Sequence, residues 1–141
     1  MTYGVPASVT MAQAIQESGW GRSGLAEGHN NLFGVKAGGV DEAVEMQTEE
    51  FSQGERRSVR ARFRTFLTRS EAVMHHGALL SADYRYADAR ENGAHWRSFL
   101  SHMAPVYASD PEYAERVGWL IERYDLDRWD PLVNEVVAQK V

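Results

Sequence analysis

Val44-Glu45-Met46-Gln47-Thr48-Glu49-Glu50-Phe51, then Ser52-Gln53-Gly54-Glu55, then Arg57-Ser58-Val59-Arg60-Ala61-Arg62-Phe63-Arg64-Thr65-Phe66: this stretch separates an α+β chain from an all-helical one. Val59, Ala61 and Phe63 alternate with Arg60, Arg62 and Arg64, the period of two that a half-buried strand requires. In the first arm Val44, Met46, Thr48 and Glu50 share one face, and Glu45, Gln47, Glu49 and Phe51 share the other. Glu49 and Glu50 therefore point in opposite directions on a regular strand. The first arm lies in an acidic block (Asp41, Glu42, Glu45, Glu49, Glu50, Glu55) and the second in a basic one (Arg56, Arg57, Arg60, Arg62, Arg64, Arg69). Adjacent blocks of opposite sign suit two strands facing each other better than a charged tail. The reading is a β-hairpin with arms 44–51 and 57–66.

Outward from the hairpin the periodicity is helical. Upstream, a helix is predicted from near Pro6 to Gly19, with Val5, Val9, Ala12 and Ile15 as its apolar stripe and Met11 at the margin. Glu17 falls roughly opposite that stripe, near Gln13 and Thr10. A long glycine-containing loop is expected over 19–41. Downstream, Thr68 and Glu71 form a capping box that opens a helix to about Ser81. Trp96, Phe99, Leu100 and Met103 mark a further helix. Asp110-Pro111 supplies an N-cap and a first-turn proline to another, with Tyr113, Val117, Leu120, Ile121 and Tyr124 as its buried side. Residues 132–141 are read as a short terminal helix. With no internal repeat and no low-complexity linker, the 141 residues read as one α+β domain, predominantly helical.

Composition excludes several classes. There is no cysteine, hence no disulfide and no thiolate-bound zinc. The net charge of −5 argues against a general nucleic-acid binder. No uncharged apolar run approaches the ~18 residues of a membrane span, so no membrane insertion is expected. The N-terminus lacks the basic start and apolar stretch of a signal peptide. A protein acting outside a cell would then be a mature form, a fragment, or exported by another route.

The chemistry-bearing residues narrow the field further. His75-His76 project about 100° apart on a helix, and His29, His95 and His102 have no ligand-like spacing, so no metal site and no cofactor are expected and surface or capping roles suit the histidines. Gln16-Glu17-Ser18-Gly19-Trp20 lacks the nucleophile elbow, and no phosphate-binding loop is present. The carboxylates point to more. Glu17 sits at the C-terminal end of an apolar helix, where the dipole disfavours negative charge, and Trp20 flanks it. A protonated carboxyl beside an aromatic ring, with a second carboxylate across a cleft, is what glycoside hydrolysis needs. Glu49 and Glu50 of the hairpin are the candidates for that second group.

These residues also carry a resemblance. Glu17-Ser18-Gly19-Trp20-Gly21 followed by Asn31-Leu32-Phe33-Gly34-Val35-Lys36-Ala37 resembles the signature of glycoside hydrolase family 73, the peptidoglycan β-N-acetylglucosaminidases that include flagellar hydrolases and autolysins. Val5-Pro6-Ala7-Ser8, Ala12-Gln13-Ala14, Phe63-Arg64-Thr65-Phe66 with Glu71-Ala72, Arg85-Tyr86 and Tyr107-Ala108-Ser109-Asp110-Pro111-Glu112-Tyr113-Ala114 also fit, in the family's order, from about residue 5 to 125.

The resemblance implies a lysozyme-like fold, with a helical lobe and a small hairpin lobe flanking a glycan groove. It implies Glu17 as general acid, Glu50 as second carboxylate with Glu49 as the fallback, and Tyr107 as the tyrosine close to the catalytic Glu. Trp20, Asn31, Phe33 and Tyr86 match positions that shape the groove or hold sugar. The family normally has another helix before the Val-Pro segment, so this catalytic domain is expected to be trimmed or to begin inside a longer protein, with wall-binding or flagellar domains outside these residues. The implied partner is the peptidoglycan glycan strand, and the implied place is the cell wall, periplasmic or extracellular. Water activation by Glu50, nucleophilic attack by Glu50, and assistance from the substrate's N-acetyl oxygen all remain open routes. A muramidase or lytic transglycosylase of the same fold, and a wall-binding module without turnover, are the rival readings.

Overall fold

The computed structural model describes residues 5–130, which form two compact units: residues 5–13 with 77–130, and residues 14–76. The expected terminal helix at 132–141 lies outside the described residues. The order is α1 (Ala7–Ser18), α2 (Gly24–His29), β1 (Ala43–Ser52), β2 (Glu55–Arg64), α3 (Arg69–Ala82), a 3-10 turn Tyr84–Tyr86, α4 (Ala87–Glu91), α5 (Trp96–Tyr107), α6 (Tyr113–Arg123) and a second 3-10 turn Leu126–Trp129. The class is α+β, mostly helical with one two-stranded antiparallel sheet.

In the first of these units the core is helical. Val9, Ala12, Phe99, Met103, Val117 and Ile121 are fully buried on the stripes that the helical periodicity marks, and Leu80 of α3 joins them. The margin of α1 opposite its apolar stripe is buried too, contrary to the one-sided reading. Gln13 is 0% exposed, and its amide donates to the Tyr113 hydroxyl at 3.0 Å. Ser8, equally buried, donates from its backbone N–H and its hydroxyl to the two oxygens of Asp130, each at 2.7 Å. A carboxylate from 122 residues away thus closes the positive end of α1. Asp110 behaves differently from the expected N-cap: it accepts from Glu112 N–H at 2.9 Å and holds Arg116, while α6 begins only at Tyr113. Tyr124 comes after the last residue of α6 and is 38% exposed, so it does not join the buried side.

The second unit is built on the hairpin. Its register pairs Val44 with Phe63, Met46 with Ala61, Thr48 with Val59 and Glu50 with Arg57. The other face pairs Glu45 with Arg62, Gln47 with Arg60 and Glu49 with Ser58, so the acidic and basic blocks do oppose each other. Gln53 and Gly54 form the turn at φ of +52° and +81°, the sign a two-residue hairpin loop of matching twist requires. The 19–41 segment is not all loop, because it holds α2. Ser23 caps that helix, its hydroxyl accepting from Ala26 N–H at 3.0 Å, and Asn30 ends it in the left-handed conformation. The capping box of α3 forms with a shift: Glu71 N–H donates to Thr68 Oγ1 at 3.1 Å, and the Glu71 carboxylate accepts from Leu67 rather than Thr68. No helix among the described residues is long and apolar enough to cross a membrane.

Candidate functional site

Glu17 stands on the last turn of α1, and residues 18–23 set how the chain leaves the helix. Trp20 N–H returns to Ile15 O at 3.1 Å, Ser23 N–H to Ser18 O at 2.9 Å, and Gly21 N–H to Ser18 Oγ at 2.7 Å. Gly19, Trp20 and Gly21 all have positive φ, at +57°, +61° and +76°. Two of these positions are glycine and tolerate it. Trp20 is not, and a left-handed conformation costs a side-chain-bearing residue about 1–2 kcal/mol, so its surroundings hold a large ring in place against an intrinsic preference. That ring is 53% exposed, along a shallow recess shared with Ile15, Leu32 and Arg69.

The segment after α2 is organised by Asn31. Its Nδ2 donates to Val35 O at 2.9 Å and Arg64 O at 2.8 Å, while its Oδ1 accepts from Phe33 N–H at 3.3 Å and Val35 N–H at 3.1 Å. This knots the Asn31–Val35 loop and ties it to the end of β2. The loop then runs beside β2, with Lys36 bridged to Phe63, Arg64 N–H donating to Val35 O and Ala37 N–H to Arg62 O, both at 2.9 Å. Gly34 has φ of +67°, and an ideal Cβ there would lie 3.6 Å from Glu17 Oε2. Backbone therefore passes close to the carboxylate with no side chain between them.

The result is a groove of about 410 Å³ within this unit, lined by Glu17, Gly34, Lys36, Met46, Gln47, Thr48, Glu49, Glu50 and Phe63, with Ser23–Leu25. Glu17 and both hairpin glutamates border one space. Glu49 is exposed, whereas Glu50, on the inner face, is partly buried and ion-paired to Lys36. Beneath the groove wall, Phe33 is 3% exposed and stacks on His76 at 3.9 Å with rings parallel within 1°. Burial, aided by the neighbouring His75, pushes the His76 imidazole down to about 3, so it is neutral in the fold. His76 is core, which corrects the surface-or-capping reading for that residue. His95 does cap α5, its Nδ1 accepting from Arg97 N–H at 3.1 Å. Among the described residues no group of three or more His, Asp or Glu is placed to hold a metal ion.

Asn31 and Phe33 are buried at 1% and 3% and neither lines the groove; Asn31 holds the Asn31–Val35 loop, which carries the groove residue Gly34. Tyr86 and Tyr107 belong to the other unit. Tyr86 is buried in a 3-10 turn, which raises the pKa of its hydroxyl. Tyr107 closes α5 and stacks on Tyr113 at 5.6 Å. Lys36 is a groove residue to which the sequence reading gave no role beyond its place in the Asn31–Ala37 stretch. A single lysine in a loop carries no pattern, and only its bridge to Phe63 turns it toward the hairpin's inner face.

The chain is similar to known proteins in sequence and in fold. The family profile described as mannosyl-glycoprotein endo-β-N-acetylglucosaminidase, the glucosaminidase family, matches residues 1–126. The chain is similar to the exo-glucosaminidase LytG of Bacillus subtilis, 38% identical over 133 residues, covering 91% of this chain and 47% of that protein. It is similar to the peptidoglycan hydrolase FlgJ of Escherichia coli K12, 34% identical over 126 residues, covering 85% of this chain and 40% of FlgJ. It therefore spans less than half the length of these curated relatives. A mutant peptidoglycan hydrolase of Sphingomonas sp. A1 superposes with a TM-score of 0.76 at 32% identity, over 89% of this chain and 85% of that one.

Proposed function

The chain belongs to the glucosaminidase family, and from that premise we propose that it is a glycoside hydrolase of peptidoglycan, cleaving the β-1,4 bond on the reducing side of N-acetylglucosamine. The observation that carries the reading is a single groove bordered by a helix-end carboxyl, Glu17, and a carboxyl on the hairpin's inner face, Glu50. Glu17 gives its proton to the glycosidic oxygen as the C1–O bond breaks. Glu50 faces the developing positive charge from the hairpin side, and water adds its hydroxyl at C1 while its remaining proton goes to the carboxylate pair, which restores the starting protonation. Trp20, held in place and half exposed, offers a flat apolar surface to a sugar ring. Tyr107 enters by its motif, Tyr107-Ala108-Ser109-Asp110-Pro111, which resembles that of the family. Substrate of this kind places the enzyme at the cell wall, in the periplasm or outside the cell, as the names of its relatives suggest.

The test is digestion of purified peptidoglycan, borohydride reduction and mass analysis of the products. Reduced N-acetylglucosamine at the new ends is the expected result. Reduced muramic acid or anhydromuramic ends would overturn the bond assignment, and intact binding without products would overturn turnover itself. Glu17→Gln is expected to remove at least about 99% of turnover, the scale of losing a general acid, while leaving the fold and glycan binding in place; substantial residual hydrolysis would sink the acid role.

A further inference from the structure

We infer that Lys36 is a positioning residue: its ammonium ties Glu50 down over the groove, and the bend of the hairpin depends on that tie. This rests on the hydrolase reading above. Lys36 pairs with Phe63, and Phe63 pairs with Val44, so the lysine is anchored at the base of the hairpin. Glu50 lies six residues further along β1, on the same face as Val44. In a flat sheet that offset alone separates the two backbones by roughly 20 Å, farther than a lysine and a glutamate side chain reach together. Yet Lys36 Nζ and Glu50 Oε1 are in contact. The hairpin must therefore curl along its length so that its inner face closes over the groove, and the Lys36–Glu50 pair spans the curve. Two-stranded ribbons twist more than larger sheets, so a curl of this size lies within their range, and the pair biases the hairpin toward it.

The pair is an open one, with side chains 57% and 39% exposed. Exposed pairs of this kind contribute little to global stability. Loss of Lys36 is thus separable from unfolding: it frees the strand that carries Glu50 while the loop stays fastened by backbone and by Asn31. The consequence falls on the chemical step, because a smaller share of the molecules then holds Glu50 at the competent curvature.

The experiment measures kcat and KM for Lys36→Met and Lys36→Arg on soluble peptidoglycan glycan strands, together with Tm. The expected result for Lys36→Met is a kcat lowered about 3- to 5-fold, a KM within about 1.5-fold, and a Tm within about 2 °C. Lys36→Arg, which keeps the cation, is expected to recover most of the rate. Wild-type kcat in Lys36→Met, a loss confined to KM, a loss that tracks a lowered Tm, or no recovery in Lys36→Arg would each overturn the positioning role. If the unaltered protein releases no reducing ends from the same strands, the hydrolase reading fails, and the role of Lys36 falls with it.

Discussion

At the scale of single residues, adjacent glutamates have different environments because a strand alternates. Glu50 shares the inner face with Thr48 and Met46 and meets Lys36, whereas Glu49 stands exposed opposite Ser58. Glu50→Gln is expected to lower kcat by at least about 100-fold and Glu49→Gln by less than about 5-fold; equal losses in reducing-end release would contradict the face assignment. Asn31 illustrates the opposite kind of residue, one that matters without reaching solvent. Asn31→Ala strips partners from two carbonyls and two amides of the loop and β2. The expected cost is about 3 kcal/mol in urea unfolding, with activity per folded molecule falling as the Lys36 strand loosens from β2. The carboxylates were legible in the sequence because a helix end and an alternating strand constrain where they point. Asn31 was visible only as part of a motif: which amides and carbonyls it would serve depends on a loop closing back on Arg64, 33 positions away.

Among elements, the hairpin was the most legible, since period two and opposite charge blocks mark both arms. The strands nonetheless close further than that reading, to Ser52 and Glu55, and leave Gln53 and Gly54 as the turn. The turn leaves room for improvement. Gln53 holds φ of +52°, and asparagine adopts that region more readily than glutamine. Gln53→Asn is expected to stabilise the protein by about 0.5 kcal/mol, read as a higher Tm, without changing kcat; a lower Tm would mean that the Gln53 side chain makes a contact worth more than the strain. Helix α2 was not legible for a physical reason. It has six residues, including Gly24 and Gly28, too few and too small for a 3.6-residue stripe to emerge. Ser23 was the one available signal, a cap with no apolar run behind it. The start of α6 slipped for a related reason: Asp110 does supply a side-chain acceptor, but it spends it on a turn, and the helix waits until Tyr113.

For the molecule as a whole, acid sensitivity is written into its second unit. His76 is neutral when folded, with its pKa at about 3 against an ordinary value of 6.5, and His75 is lowered in the same sense by burial and by Arg64. Below about 6.5 the unfolded chain binds a proton that the folded one refuses. The stabilisation from His76 is therefore complete above about 6.5 and is lost progressively as pH falls toward 3. That amounts to a slope of about 1.4 kcal/mol per pH unit for one such group. Urea titrations between pH 6.5 and 4 are expected to show a steeper loss of stability in the wild type than in His76→Gln, which keeps only the contribution of His75; identical slopes would contradict it. The clasp of Ser8 by Asp130 has a different consequence, which concerns the order of events during translation. The unit formed by residues 14–76 is continuous in the chain, whereas the other needs its first nine described residues and a stretch that begins only at Gly77. A ribosome delivers the hairpin unit whole while the N-terminus of α1 has no acceptor for its Ser8 amide. Residues 5–13 are made before the hairpin unit and locked after it, so the nascent chain carries Val5 and Val9 without this clasp until α6 and Asp130 have emerged.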